Sequence, residues 1–414
     1  MEPIYRPTML TLPNESEKPN ISDSEMRKGI WGPWYWFVSA FGLVFPAPKK
    51  ESSLFATLLL FVPNLIVLAV LAVRAGNIMY IMSITRAVSF SWAYMTILFS
   101  LSIHALTCAA TLTWYKHGNF FNKMTAHIRE LAVDNFETVP KLDLILQVLV
   151  IAVGCFPSYI LYIVDSFSLG RHYSVNGDND YVTGIYRDIL GLYIADVVVV
   201  ILSAYVTSAV FIVYLLSNSA VCRHYDSFLK KLTTAVKDGT ISKVDNLKHF
   251  DKQLIHLLSS ICYLNTVNQW MLSISFVTSI VMQICAQLSL TSFSSTMHGV
   301  EYGLFALWFL QSVVFMIFSL KKPGIFYEKL VETKHLLWLD QGVWSKSTDV
   351  RVLDIAEGMI HRIETVDYPA KGMAQVGSRI FGLILMIIPL LVAILAGTAR
   401  FQAYNLTNST STSI

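Results

Sequence analysis

Seven stretches of this chain are apolar over enough length to cross a bilayer as helices: residues 54–73, 88–114, 144–164, 189–216, 270–290, 302–320 and 380–399. A helix needs about 20 apolar residues to cover the hydrocarbon core. Inside that core only structures that satisfy all their own backbone groups survive. The predicted fold class is therefore all-α, a polytopic membrane protein with seven transmembrane helices. Composition agrees, since charged residues make up only 14% of the chain and mean hydropathy is +0.53, against roughly 25% charged in a soluble domain. Much of the surface is expected to face lipid. Pro63, Pro157 and Pro389 lie inside these stretches. Neighbouring helices can satisfy the carbonyls they free, so they are expected to kink helices rather than end them.

The 31 Lys and Arg residues fall unevenly between the stretches: twenty-six lie in the amino-terminal segment and the second, fourth and sixth connections. The five on the other side are Arg74, Arg86, Arg171, Arg187 and Arg400. Cytoplasmic loops retain basic residues, so the reading is a cytoplasmic amino terminus and an extracellular carboxyl terminus, multi-pass in the plasma membrane. On this count no basic residue lies deep in a span. Asn405 and Asn408 begin glycosylation acceptor motifs in the tail 405–414. Asn14 and Asn20 do the same on the inner side, where they stay unused. None of the five cysteines sits in an external loop, so an external disulfide is not expected.

The organisation that follows has a cytoplasmic segment 1–50, polar through residue 29 and read there as a disordered tail. An aromatic interfacial or re-entrant piece follows at 31–46. A six-helix bundle occupies 54–320, a cytoplasmic helical loop 321–379, and a last helix 380–404. The fourth stretch continues as a helical pattern through Tyr225, Phe228, Leu229 and Leu232. After the turn-like Lys237-Asp238-Gly239, a second stripe carries Leu247, Phe250, Leu254, Leu257, Leu258, Ile261 and Leu264 on one face. The extension 217–265, with a further amphipathic stretch at 350–363, is expected to form a helical anchor beneath the membrane.

This layout resembles the insect gustatory and odorant receptor superfamily and its nematode relatives. The resemblance rests on the seven spans, the inward amino terminus and the long extension joining spans four and five. It also rests on Phe41-Gly42-Leu43-Val44-Phe45-Pro46, on Asn265, Asn268 and Trp270, and on the approach to the last span at Gly372 to Arg379. It implies a chemoreceptor that is a ligand-gated, non-selective cation channel, a homotetramer or a hetero-oligomer of related subunits. The last helix would then line the pore. Thr398, Phe401 and Gln402 are its pore candidates, although the superfamily's spacing of these residue types is lost here. Some nematode and non-insect members serve light or peroxide responses, so taste is one expectation among several.

The resemblance also implies a small-molecule site opening outward among spans two to six. Its candidates are Trp92, Tyr159, Tyr162, Tyr193, Asp196, Gln287, Tyr302 and Trp308. Aromatic rings combine area with polar tips, which suits small organic ligands, although rings at a membrane interface also serve as anchors. Asp196 sits in an apolar run, where a carboxylate marks a wet cavity or a bonded partner. Its replacement by Ala is expected to alter stimulus sensitivity more than surface expression. His104 is expected to make an interhelical hydrogen bond.

No cofactor, metal site or nucleic-acid partner is expected; lipid, a small-molecule stimulus and cations are. The chain contains no phosphate loop, helical His/Glu metal pair or nucleophile elbow, so it does not read as an enzyme. A G-protein-coupled receptor is the main alternative. It would invert the charge asymmetry, and the chain offers neither an external cysteine pair nor an Asn-Pro-x-x-Tyr in the last span. A transporter would show internal repeats, which the hydropathy does not.

Overall fold

The computed structural model describes residues 22–32, 34–35, 54–131, 145, 149, 151–152, 156–166, 190–295, 297–345, 348–366 and 387–397. Every regular element among these is helical. The first, α1 (Asp23–Trp31), falls mostly in the stretch read as a polar tail. Ser22 caps it, since its Oγ accepts from the Glu25 backbone while the Glu25 carboxylate accepts from the Ser22 backbone. It ends at Gly32, whose φ of 57° is easy only for glycine. Met26, Ile30 and Trp31 share one buried face, and Trp31 Nε1 donates to Ser217 Oγ at 3.1 Å.

The next helix, α2 (Leu54–Ile84), runs unbroken through Pro63 and onward past Arg74. Arg74 is therefore not a loop residue, and the inference that no basic residue lies deep in a span is corrected. It is only 7% exposed. Beyond it, α3 (Phe90–His117) is capped by Ser89, and α4 (Phe120–Leu131) lies past the turn at Gly118 and Asn119. Residues 156–166, α5, are helical.

Two long helices set the size of the molecule. The first, α6 (Leu190–Lys237), has 48 residues and α7 (Val244–Ser292) has 49. Each is about 70 Å long at 1.5 Å per residue, more than twice the hydrocarbon thickness. The turn between them uses Gly239 in the left-handed region and a short 3-10 segment, Thr240–Ser242. The buried face of α7 includes Leu247, Phe250, Leu254, Leu257, Leu258, Ile261 and Leu264, the stripe read from the sequence.

The following helix, α8 (Gly299–Met316), continues through a π-helical segment, Ile317–Lys321, into α9 (Lys322–Leu339). Pro323 explains the widened turn, because it has no N–H for the carbonyl four residues back and its ring crowds that carbonyl. Next, α10 (Val350–Thr365) is capped by Asp349 and buries Val352, Ala356, Met359 and Ile363. The last described helix, α11, is Ile387–Gly397.

At the centre, α7 packs most extensively on α3 and α8, and α3 on α2. One continuous apolar core joins the membrane part to the α4, α6, α7, α9 and α10 extension. Five of the described helices are long and apolar enough to cross a membrane. Val73, Ile194, Val198, Ile201 and Trp270 are exposed along them, an outward apolar surface of the kind lipid covers. Parts of the third and seventh sequence stretches, residues 33 and 36–46 of the piece 31–46, and the residues Thr398, Phe401, Gln402, Asn405 and Asn408 lie outside the described residues.

Candidate functional site

A cluster of charged and aromatic side chains forms where α2, α3, α5, α6 and α8 meet. Arg74 on α2 is its first fixed point. Its Nε donates to Asp196 Oδ1 at 2.9 Å, and its Nη1 donates to Ser102 Oγ at 3.3 Å. Tyr162 on α5 donates its hydroxyl to Asp196 Oδ2 at 3.3 Å, and its ring centre lies 5.8 Å from the Arg74 guanidinium carbon. The Asp196 carboxylate is thus held by two helices other than its own. Within hydrocarbon such a charge persists only with partners of this kind.

A second part of the cluster centres on Tyr94. Its hydroxyl donates to Asp165 Oδ2 at 3.0 Å. Its ring lies 5.2 Å from Trp308, 6.0 Å from Phe305 and 6.4 Å from Tyr162, centre to centre. The Trp308 and Phe305 contacts are edge-on, which presents ring edges to ring faces. Phe90 extends the group, 5.4 Å from Phe305. Glu301, in the first turn of α8, accepts the His298 backbone N–H at 2.8 Å through Oε2. Its Oε1 is buried without a hydrogen-bond partner. Asp165 and Glu301 are 0% and 2% exposed, and each lies within reach of the other's charge. Gly303 lets α8 approach α5 closely, since a Cβ there would stand 3.3 Å from Leu161 Cδ2.

Of the sequence candidates, Tyr159, Tyr162, Asp196 and Trp308 belong to this region; Tyr159 is buried and within electrostatic reach of Arg74. Tyr193 joins its edge, donating to the Ile163 carbonyl at 3.4 Å. Trp92 is half-buried against the core one turn into α3. Tyr302 is 51% exposed and faces outward, away from the cluster. Gln287 stands apart, in a groove of about 640 Å³ that it lines with Phe309 and with Pro389, Val392 and Gly397 of α11. Arg74, Tyr94, Asp165 and Glu301 were missed. Arg74 follows the apolar run 54–73 and so reads as a loop residue, and the two acids sit at the ends of apolar runs, where sequence alone shows only boundary charges.

Further along the same helices, His104 lies between Phe211 and Phe315, with ring centres 5.5 and 4.4 Å away. The Ser275 hydroxyl donates to the Met271 carbonyl at 2.6 Å, so its oxygen accepts from His104 Nε2 at 2.7 Å. This is the interhelical bond expected of His104.

A family model described as Caenorhabditis protein of unknown function, DUF267, matches residues 35–392. No curated protein matches in sequence. In fold the chain is similar to the insect olfactory receptor OR5 from Machilis hrabei, with a TM-score of 0.64 at 9% identity, over 90% of this chain and 99% of that one. It is similar also to the same receptor in complex with eugenol, with a TM-score of 0.61 at 9% identity, over 88% and 99%.

Proposed function

The chain belongs to the Caenorhabditis family DUF267, and we propose that it is a subunit of a stimulus-gated, non-selective cation channel, a chemoreceptor for small molecules. The observation that carries this reading is the buried ring-and-charge cluster around Tyr94 and Asp196, set among helices arranged as in an olfactory receptor that has been solved with eugenol bound. A stimulus settling among α2, α3, α5, α6 and α8 would press on α6 and α8, which continue as α6 itself and as α9 into the inner extension. The π segment at Ile317–Lys321 gives the α8–α9 axis a local point of adjustment.

In this reading seven helices cross the plasma membrane, with the amino terminus inside and the carboxyl terminus outside. The last helix lines a central pore shared by several copies, with Thr398, Phe401 and Gln402 near its outer mouth. Asn405 and Asn408 are then open to glycosylation. Taste, odour, light and peroxide stay open as stimuli, because the ring-rich cluster selects for small size and not for one sense.

Heterologous expression with patch-clamp recording tests the proposal, across tastants, odorants, peroxide and light. The expected result is a stimulus-evoked cation current that is absent from untransfected cells. A robust G-protein response without current would overturn it in favour of the coupled-receptor alternative.

A further inference from the structure

A second cavity lies apart from the ring-and-charge cluster, in the groove of about 640 Å³ lined by α7, α8 and α11. That volume falls within the range of ligand pockets. Pro389, Val392, Ala393, Ala396 and Gly397 line it from α11, recurring every three or four residues, so a single face of that helix forms one wall. Ala and Gly on a span are residues that let neighbouring helices close up. Here they leave a gap, and a Cβ added to Gly397 would meet nothing within 4 Å. Phe309 of α8 and Gln287 and Thr291 of α7 contribute the other walls. Among the described residues no charged side chain lines the groove.

The surroundings decide what can fill it. Leu310 on α8 is 45% exposed, and Leu390 and Ile394 on α11 are 62% and 60% exposed. They adjoin Phe309, Pro389 and Ala393 in the chain, so the groove borders surface that meets acyl chains in a bilayer. Apolar walls hold water poorly, which leaves hydrocarbon as the filling. From Pro389 to Gly397 the wall runs about 12 Å at 1.5 Å per residue, enough for much of an acyl chain. A helix of a second copy, about 10–12 Å across with its side chains, would need on the order of 1,000 Å³ over that length. Gln287 lies near the end of α7 at Ser292, about 8 Å along the axis from it. That is the depth at which the hydrocarbon of a lipid gives way to its glycerol esters. The Thr291 hydroxyl is spent on the Gln287 backbone carbonyl at 2.8 Å, whereas the Gln287 side-chain amide can donate to an ester carbonyl.

We propose that this groove holds one acyl chain of a membrane phospholipid, with its glycerol ester at Gln287, as a wedge that keeps α11 off α7 and α8. The proposal rests on the last apolar stretch lying in the bilayer, and not on the channel reading. Withdrawing the chain would free the small-residue face of α11 to close on α7. Occupancy of the groove would therefore set the position of the last helix.

The test uses the full-length chain in phosphatidylcholine nanodiscs that include a phosphatidylcholine with a diazirine in one acyl chain. Irradiation is followed by mass spectrometry of the labelled residues. Labelling on the groove residues of α7 and α11 is expected to be several-fold above that on Ile194, Val198 and Ile201, which are exposed on α6. Gly397→Phe fills the groove and should bring its labelling down to the α6 level, with α6 itself unchanged. Equal labelling of groove and α6 face, or groove labelling indifferent to Gly397→Phe, would overturn the proposal. If that variant does not fold, the wild-type ratio still decides, with Ala393→Leu as the second variant. No labelling on any face of α11 would take the last helix out of the bilayer and this site with it. Groove labelling in a chain that gives no current in patch-clamp would strike the channel reading and leave this site standing.

Discussion

Asp196 was legible as a residue of consequence, because a carboxylate in an apolar run is costly without a partner. What the sequence could not supply was the partner, since Arg74 lies 122 positions away, just past the end of an apolar run. That pairing reverses the expected effect of Asp196→Ala. Removing the carboxylate leaves a guanidinium 7% exposed with its main counter-charge gone, and breaking a buried pair from one side costs about 3–5 kcal/mol. The variant is expected to lose surface expression and melting temperature together with stimulus response. An Arg74→Leu/Asp196→Leu double variant should recover most of the lost stability, because replacing a buried pair by apolar side chains is close to neutral. Thermal melts of the single and double variants in detergent check this. A single variant as stable as wild type would mean that the pair is screened by water.

The extension of α6 and α7 beyond the spans and the helix α10 were readable, since three- and four-residue spacings of Leu and Phe need no tertiary knowledge. The helix α1 was not, because its apolar residues are few and its signal is the short Ser22–Glu25 cap. Its docking depends on Trp31, 1% exposed and bonded to Ser217. Trp31→Ala is expected to cost about 3–5 kcal/mol, seen as a lower melting temperature and faster proteolysis near residue 31. Unchanged proteolysis would show that α1 holds without it.

The contact of α4 with α7 carries a pH dependence. Burial holds the His127 imidazole below its ordinary 6.5; Glu130 opposes the shift, and His256 and Lys123 add to it. The unfolded chain regains the ordinary value and takes up a proton that the folded chain refuses. Stability should therefore fall as pH drops through 6.5 and hold steady above it. His127→Gln should flatten that slope, as read from melts on either side of pH 6.5. An identical slope in the variant would assign the effect to groups other than His127.

At the scale of the whole molecule, hydropathy led to an all-helical membrane chain because lipid leaves so few alternatives. It could not show which helix ends converge. The cluster at Tyr94 takes one to three residues from each of five helices, and no local pattern marks a residue by what it will face across a helix boundary. The proposed orientation stands on a different footing, since it is read from charge alone. Moving Arg74 from loop to helix leaves four basic residues on one side of the spans against twenty-six on the other. The asymmetry becomes steeper, and the two helices of 48 and 49 residues carry their long extensions to the basic side. An epitope fused ahead of Trp31 is accordingly expected to be reached by antibody only after permeabilisation, and one after Ile414 on intact cells. The opposite staining would place Tyr94, Asp165 and Glu301 toward the cytoplasm. A stimulus reaching this cluster would then have to come from inside the cell, because the same buried groups would face the other solution.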